Sequence, residues 1–182
     1  TGWNRGQMDW PSSPFGGPRV NISTLHPESV GASVAAAGQV STTYPVANLA
    51  IFMPFRIGIP ITVKQLFSYN GLVAAGNIDM GIYDRNGVRL VSAGSTAQAG
   101  PSALQAFNIT HTQIRPGLFY IAIAKDDIVG TLIRITTGAS WNWRVLGLAQ
   151  QASAFPLPAT ATFAAYGQLL CPFIGLSTRD VL

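Results

Sequence analysis

From residue 49 the chain alternates apolar with small or polar positions in short runs separated by turn residues. Leu49, Ile51, Met53, Phe55 and Ile57 recur at every second position, the period of a strand with one buried face. Pro54 inside that run argues for an edge strand or a bulge, because proline donates nothing to a sheet ladder. After the Gly58-Ile59-Pro60 turn, residues 61–69 form the next run. Residues 77–84 and 88–92 flank Arg85-Asn86-Gly87 and predict a β-hairpin, with Asn-Gly suited to the positive φ angles of a type I′ turn. Residues 104–110, the corner Arg115-Pro116-Gly117 and the run 118–124, apolar on both faces, predict a second hairpin-like unit. Residues 131–137 follow, with Ile133 and Ile135 on one face and Leu132, Arg134 and Thr136 on the other. Residues 140–146 fit a strand with Trp141 and Trp143 on one face, or equally the start of a short helix through Gln151. Phe155 to Pro158 reads as an irregular proline-set link, and residues 159–166 and 170–175 as final strands. Many short strands with Gly, Pro and Asn punctuation and no long 3.6-residue period predict an all-β fold, an antiparallel β-sandwich. The expected count of eight to ten strands suits a jelly-roll-like arrangement.

Residues 1–48 have a different character. Thr1 to Pro18 holds Trp3, Trp10, Phe15, three prolines and four glycines, a composition with little helix or sheet propensity. Disordered tails are poor in aromatics, so this segment is expected to be an extended N-terminal arm that orders by docking its aromatics. It either reaches a neighbouring subunit or folds over its own domain. Trp3, Trp10 and Phe15 are the candidate interface anchors, since large desolvated aromatics dominate interface energies. Pro27, Glu28 and Gly38 punctuate a possible short helix ending at Ala37. The expected division is thus an arm at 1–48 and a β-sandwich domain at 49–182.

The 182 residues suffice for one ordinary domain with a core of its own. Only 10% are charged, against ~25% in typical soluble domains, which suggests a surface covered in part by other subunits. The net charge of +4 comes from eleven scattered cations, nine of them Arg. Scatter of that kind gives no nucleic-acid stripe, whereas Arg is favoured at protein interfaces. No run of eighteen apolar residues occurs, so no transmembrane helix and no membrane partner are expected. If Thr1 is the mature end, loss of an initiator Met before a small residue accounts for it, and the protein is expected to be made and used without export.

Reactive constellations are sparse, and a non-enzymatic protein without cofactor or metal is expected. The chain has two His, one Cys and seven acids, and no phosphate loop, nucleophile elbow or zinc motif. Cys171, amid Leu169, Leu170, Pro172 and Phe173, reads as a buried small hydrophobe rather than a nucleophile. An enzyme reading would require Asp79, Asp84, Asp126, Asp127 or His111 to converge on a pocket. Asp126-Asp127 is either a solvated loop or, with backbone carbonyls, a Ca²⁺ contact. Trp141 and Trp143 either belong to a core or subunit contact or form a stacking platform for a ligand such as a glycan.

Several phrases carry a resemblance: Ile51-Phe-Met-Pro-Phe-Arg-Ile57, Ile61-Thr-Val-Lys-Gln-Leu66, Gly76-Asn-Ile-Asp-Met-Gly-Ile-Tyr-Asp-Arg-Asn-Gly87, Leu90-Val-Ser-Ala-Gly-Ser-Thr-Ala97 and Ile114-Arg-Pro-Gly-Leu-Phe-Tyr-Ile-Ala122. Over residues 49–136 they resemble the β-sandwich modules of tailed-bacteriophage virion proteins. The resemblance implies a structural component of a phage particle, of the head-decoration, fibre, collar or tail type. It would be assembled in the host cytoplasm as a homo-oligomer with other virion proteins. Similar phrases occur in carbohydrate-binding sandwiches, which implies the alternative of a module recognising a host-surface glycan. Neither resemblance carries a catalytic residue over.

Overall fold

The computed structural model describes residues 24–25, 40–134 and 147–180. The candidate helix at 27–37 and the greater part of the arm lie outside these residues. Thirteen strands occur in them and no helix. In chain order they are β1 (Thr24–Leu25), β2 (Val40–Thr43), β3 (Ala50–Ile57), β4 (Ile61–Tyr69), β5 (Asn77–Asp84), β6 (Arg89–Ser92) and β7 (Thr96–Ala97). There follow β8 (Leu104–Ile114), β9 (Gly117–Lys125), β10 (Thr131–Arg134), β11 (Ala149–Gln151), β12 (Ala164–Ala165) and β13 (Ile174–Ser177).

Every strand pairing is antiparallel. One sheet has the order β1-β13-β4-β8 and the other β12-β11-β3-β9-β5-β6, with β7 also on β5; β2 and β10 form a separate ribbon. Setting aside β2, β7 and the late additions β10, β11 and β12, eight strands remain, and their orders become first-eighth-third-sixth and second-seventh-fourth-fifth. That is the two-sheet order of a jelly roll, a chain of successive strands crossing between sheets. Two strands from within residues 1–48 take part: β1 forms the edge of the smaller sheet, and β2 pairs with β10.

Period-2 alternation places the core. Ile51, Met53, Phe55 and Ile57 of β3, Ile78, Met80 and Ile82 of β5 and Phe119, Ile121 and Ile123 of β9 face Val63 and Leu66 of β4, Phe107 and Ile109 of β8 and Ile174 and Leu176 of β13. Phe55 and Phe119 stack at 5.9 Å between centroids. Burial of this layer supplies the main stabilisation, at ~25 cal/mol per Å² of apolar surface.

The larger sheet is buried on its other face as well. Ala50, Phe52, Tyr83, Ala122 and Ala124 there form a second cluster with Ala154, Leu157 and Ala161, contributed by a strap over residues 152–163. Phe52 meets Tyr83 and Phe163 edge-on at 5.2 and 5.0 Å. The proline-set link of the sequence is therefore a covering element, and it explains why β9 is apolar on both sides.

Two expectations about turns need correction. The 77–92 hairpin forms, but its turn is not type I′: Gly87 has φ +84° while Asn86 is not in the left-handed region. Gly87 N–H bonds Asp84 C=O at 3.1 Å, and Asp84 N–H bonds Val88 C=O at 2.9 Å. This is a type I turn followed by a left-handed glycine. Asp84 decides it, because its Oδ1 accepts from both Asn86 N–H and Val88 N–H at 2.8 Å and so stabilises the type I geometry. The second unit is no hairpin: β8 pairs with β4 in one sheet and β9 with β3 and β5 in the other. Its Arg115-Pro116 corner is a crossing between sheets. Pro54 behaves as expected of an edge position, since β11 pairs β3 only as far as Phe52 and leaves Pro54 with β9 alone.

Candidate interaction surfaces

The anchors Trp3, Trp10 and Phe15 and the stacking candidates Trp141 and Trp143 lie outside the described residues. The acidic and histidine candidates lie within them and are dispersed. Asp79 is fully buried on the strap side of β5, where Oδ1 accepts from Ser92 Oγ at 2.7 Å and Oδ2 from Leu157 N–H at 2.9 Å. Its neighbours complete the fastening: Tyr83 Oη donates to Pro158 C=O at 2.6 Å, Arg89 donates to Leu157 C=O, and Arg89 N–H bonds Ala159 C=O at 2.9 Å. Burial pushes the Tyr83 hydroxyl well above its ordinary value, with Asp79 adding to the rise against the opposing effect of Arg89. Asp84 caps its turn at the far end of the same strand.

Asp126 and Asp127 stand at the start of β5 and serve the loops there. Asp126 accepts from Asn77 N–H at 2.7 Å and Asn77 Nδ2 at 2.6 Å. Burial by itself would raise its pKa, yet the Asn77 donors and the Lys125 charge hold it below its ordinary value. Asp127 lies 3.5 Å from Lys125 Nζ and accepts from Gly130 N–H at 3.2 Å. Lys125 is fully buried and donates to Gln98 Oε1 at 2.6 Å and Ala75 C=O at 2.9 Å. Desolvation lowers its pKa, against the opposing pull of Asp127 and Asp126. Gln98 passes the network on to Asn70 Oδ1 at 3.1 Å and Thr131 C=O at 2.8 Å, and Asn70 reaches Gln105 Oε1 at 2.8 Å. Loops 70–76, 97–103 and 126–130 are thus stitched around one ammonium group.

His111 sits on the other sheet, its Nε2 3.0 Å from Asp180 Oδ1, and Lys64 Nζ lies 2.5 Å from Asp180 Oδ2. The Lys64 hydrogen bond is the first cause of the lowered Asp180 pKa, and His111 adds to it. Cys171 is buried, and loss of solvent pushes its thiol up to about 12, which suits a core residue. Among the described residues no three His, Cys, Asp or Glu side chains come close enough to hold a metal ion. Nor is any helix there long and apolar enough to cross a membrane, which says nothing of a β-barrel.

The two ends of the sandwich are unlike. At the Lys125 end Leu72, Ile128 and Val129 are 73%, 53% and 61% exposed, with Val73 beside them. Leu72 N–H bonds Ser41 Oγ at 2.9 Å and Val73 C=O accepts from Thr131 N–H at 2.8 Å, so the apolar tips project from a tied framework. At the opposite end, around the β5–β6 turn and the β8–β9 crossing, lies a cleft of about 720 Å³ lined by Arg56, Arg85 and Arg115 among others. Three arginines distant in sequence meet there, which sequence spacing alone does not signal. The chain matches no protein-family model, no curated protein and no solved structure. What these surfaces do follows from their own chemistry.

Proposed function

We propose that the chain is a non-enzymatic structural component of a phage particle, a decoration, fibre, collar or tail protein that works by assembling with copies of itself and with other virion proteins. The supporting observation is the loop end with Leu72, Val73, Ile128 and Val129 in the open on a hydrogen-bonded frame. Exposed apolar side chains grouped on a rigid base are what a subunit contact buries. The low charge of the whole chain agrees, and jelly rolls recur in viral capsid domains, an analogy of fold alone. The arm at 1–48 is the second contact in this reading, with Trp3, Trp10 and Phe15 as its anchors.

Light scattering coupled to size-exclusion chromatography tests the reading on the full chain. The expected result is an oligomer that Leu72→Asp with Val129→Asp disperses while circular dichroism retains the β signal. A monodisperse monomer at high concentration, alone and with partner virion proteins, would overturn it.

A further inference from the structure

The cleft at the turn end has a composition that the assembly reading does not use. Arg56 is the last but one residue of β3, Arg85 opens the β5–β6 turn and Arg115 lies in the β8–β9 crossing, and all three are exposed around one cleft of about 720 Å³. None of the three side chains makes a hydrogen bond or ion pair with any described residue, whereas the Arg89 side chain, outside the cleft, is bonded to the strap. The single acid of the lining, Asp84, already has Oδ1 committed to two backbone N–H groups of its turn. Three cations therefore face one acid in a concave space. Each guanidinium offers five donors in a planar fork matched to a carboxylate or sulfate.

The rest of the lining narrows the ligand. Leu90, Ile114, Pro116 and Leu118 give apolar surface, and Asn86 and Gln113 give amides at the rim. An inorganic anion has no use for the apolar wall. A sugar ring has: its C–H face covers apolar side chains, its hydroxyls pair with amides, and an acidic substituent takes the guanidinium forks. The volume lies in the ~300–1,000 Å³ range of small-ligand pockets. We infer that this cleft is a binding site for an acidic oligosaccharide, a short glycan bearing carboxylate or sulfate groups. The cleft lies at the end of β5 and β9 opposite to Leu72, Val73, Ile128 and Val129.

Calorimetric titration of the full chain with sialyllactose, a sulfated disaccharide, lactose and inorganic phosphate tests the inference. At least one acidic sugar is expected to bind, more weakly as salt is added, with lactose and phosphate far weaker. Arg56→Ala, Arg85→Ala and Arg115→Ala remove exposed side chains without internal partners, so each is expected to fold and to lose about tenfold in affinity, the size of a charged hydrogen bond. Thermal unfolding of each variant confirms that the fold is intact. No binding of either acidic sugar overturns the site. Equal binding of lactose overturns the arginine role, phosphate binding as tight as the sugar overturns the glycan part, and undiminished binding by the triple variant places the ligand elsewhere.

Discussion

Individual side chains show where the fold is vulnerable. Asp79 reads in the sequence as one more polar position of an alternating strand, and nothing local marks it as buried. It is buried because Leu157 N–H, lying against the sheet without a ladder partner, needs an acceptor there. Asp79→Ala is expected to destabilise by about 3 kcal/mol, since it strands that N–H and the Ser92 hydroxyl in a dry layer; urea denaturation measures it, and a loss below about 0.5 kcal/mol would show the strap held by other means. Lys125 gives a pH-dependent counterpart. Its folded pKa lies below 10.5, so between that lowered value and 10.5 the unfolded chain binds more protons and stability rises with pH. Lys125→Met lacks this gain and leaves Gln98 Oε1 and Ala75 C=O short of a donor. We expect a deficit of about 2 kcal/mol near neutral pH, widening in unfolding experiments carried toward pH 10.5.

At the level of elements, the clearest lesson is which junctions the chain announces. The 77–92 hairpin was legible because a short turn sequence separates two apolar-patterned runs that lie next to each other in the chain. The corner after β8 has equally good turn residues, yet it joins strands of different sheets. Pro116 and Gly117 specify a reversal and leave the partner strands open, and only the Ile121 and Ile123 face, paired to β3 and β5, settles where β9 goes. The strap was illegible for a related reason: its contacts are with three strands distant in the chain, β3, β5 and β9, and prolines there report only the lack of regular pairing. Gly87 joins turn and strap. A Cβ on it would lie 2.5 Å from Ala161 C=O, and its φ is +84°. Gly87→Ala is thus expected to cost about 2 kcal/mol or more, from the left-handed backbone and the clash together, and to raise hydrogen exchange at Ala161 N–H, which Gly87 C=O holds at 2.7 Å. Exchange there unchanged from the parent would show that the strap accommodates a methyl group.

For the whole molecule, the all-β fold class follows from alternation and strand number, while the strand order and the surfaces depend on what topology brings together. Arg56, Arg85 and Arg115 look scattered along the chain and become neighbours only when the β3 end, the first hairpin turn and the sheet crossing meet at one pole. The arm belongs to this scale too. Removing residues 1–18 is expected to leave the sandwich folded, since β1 begins at Thr24 and the core draws on later strands. The shortened chain should no longer assemble, which size-exclusion chromatography reports; unchanged assembly would take Trp3, Trp10 and Phe15 out of the subunit contact.

The place of β13 has a consequence for biosynthesis. It lies between β1 and β4, at the middle of the smaller sheet, although it follows every other described strand along the chain. Until Ser177 has left the ribosome, β4 has an open flank and the Val63 and Leu66 layer lacks Ile174 and Leu176 beside it. A nascent chain stalled before that point should hold the larger sheet and the β4–β8 pair with part of the core layer open, so closure of the smaller sheet waits on β13.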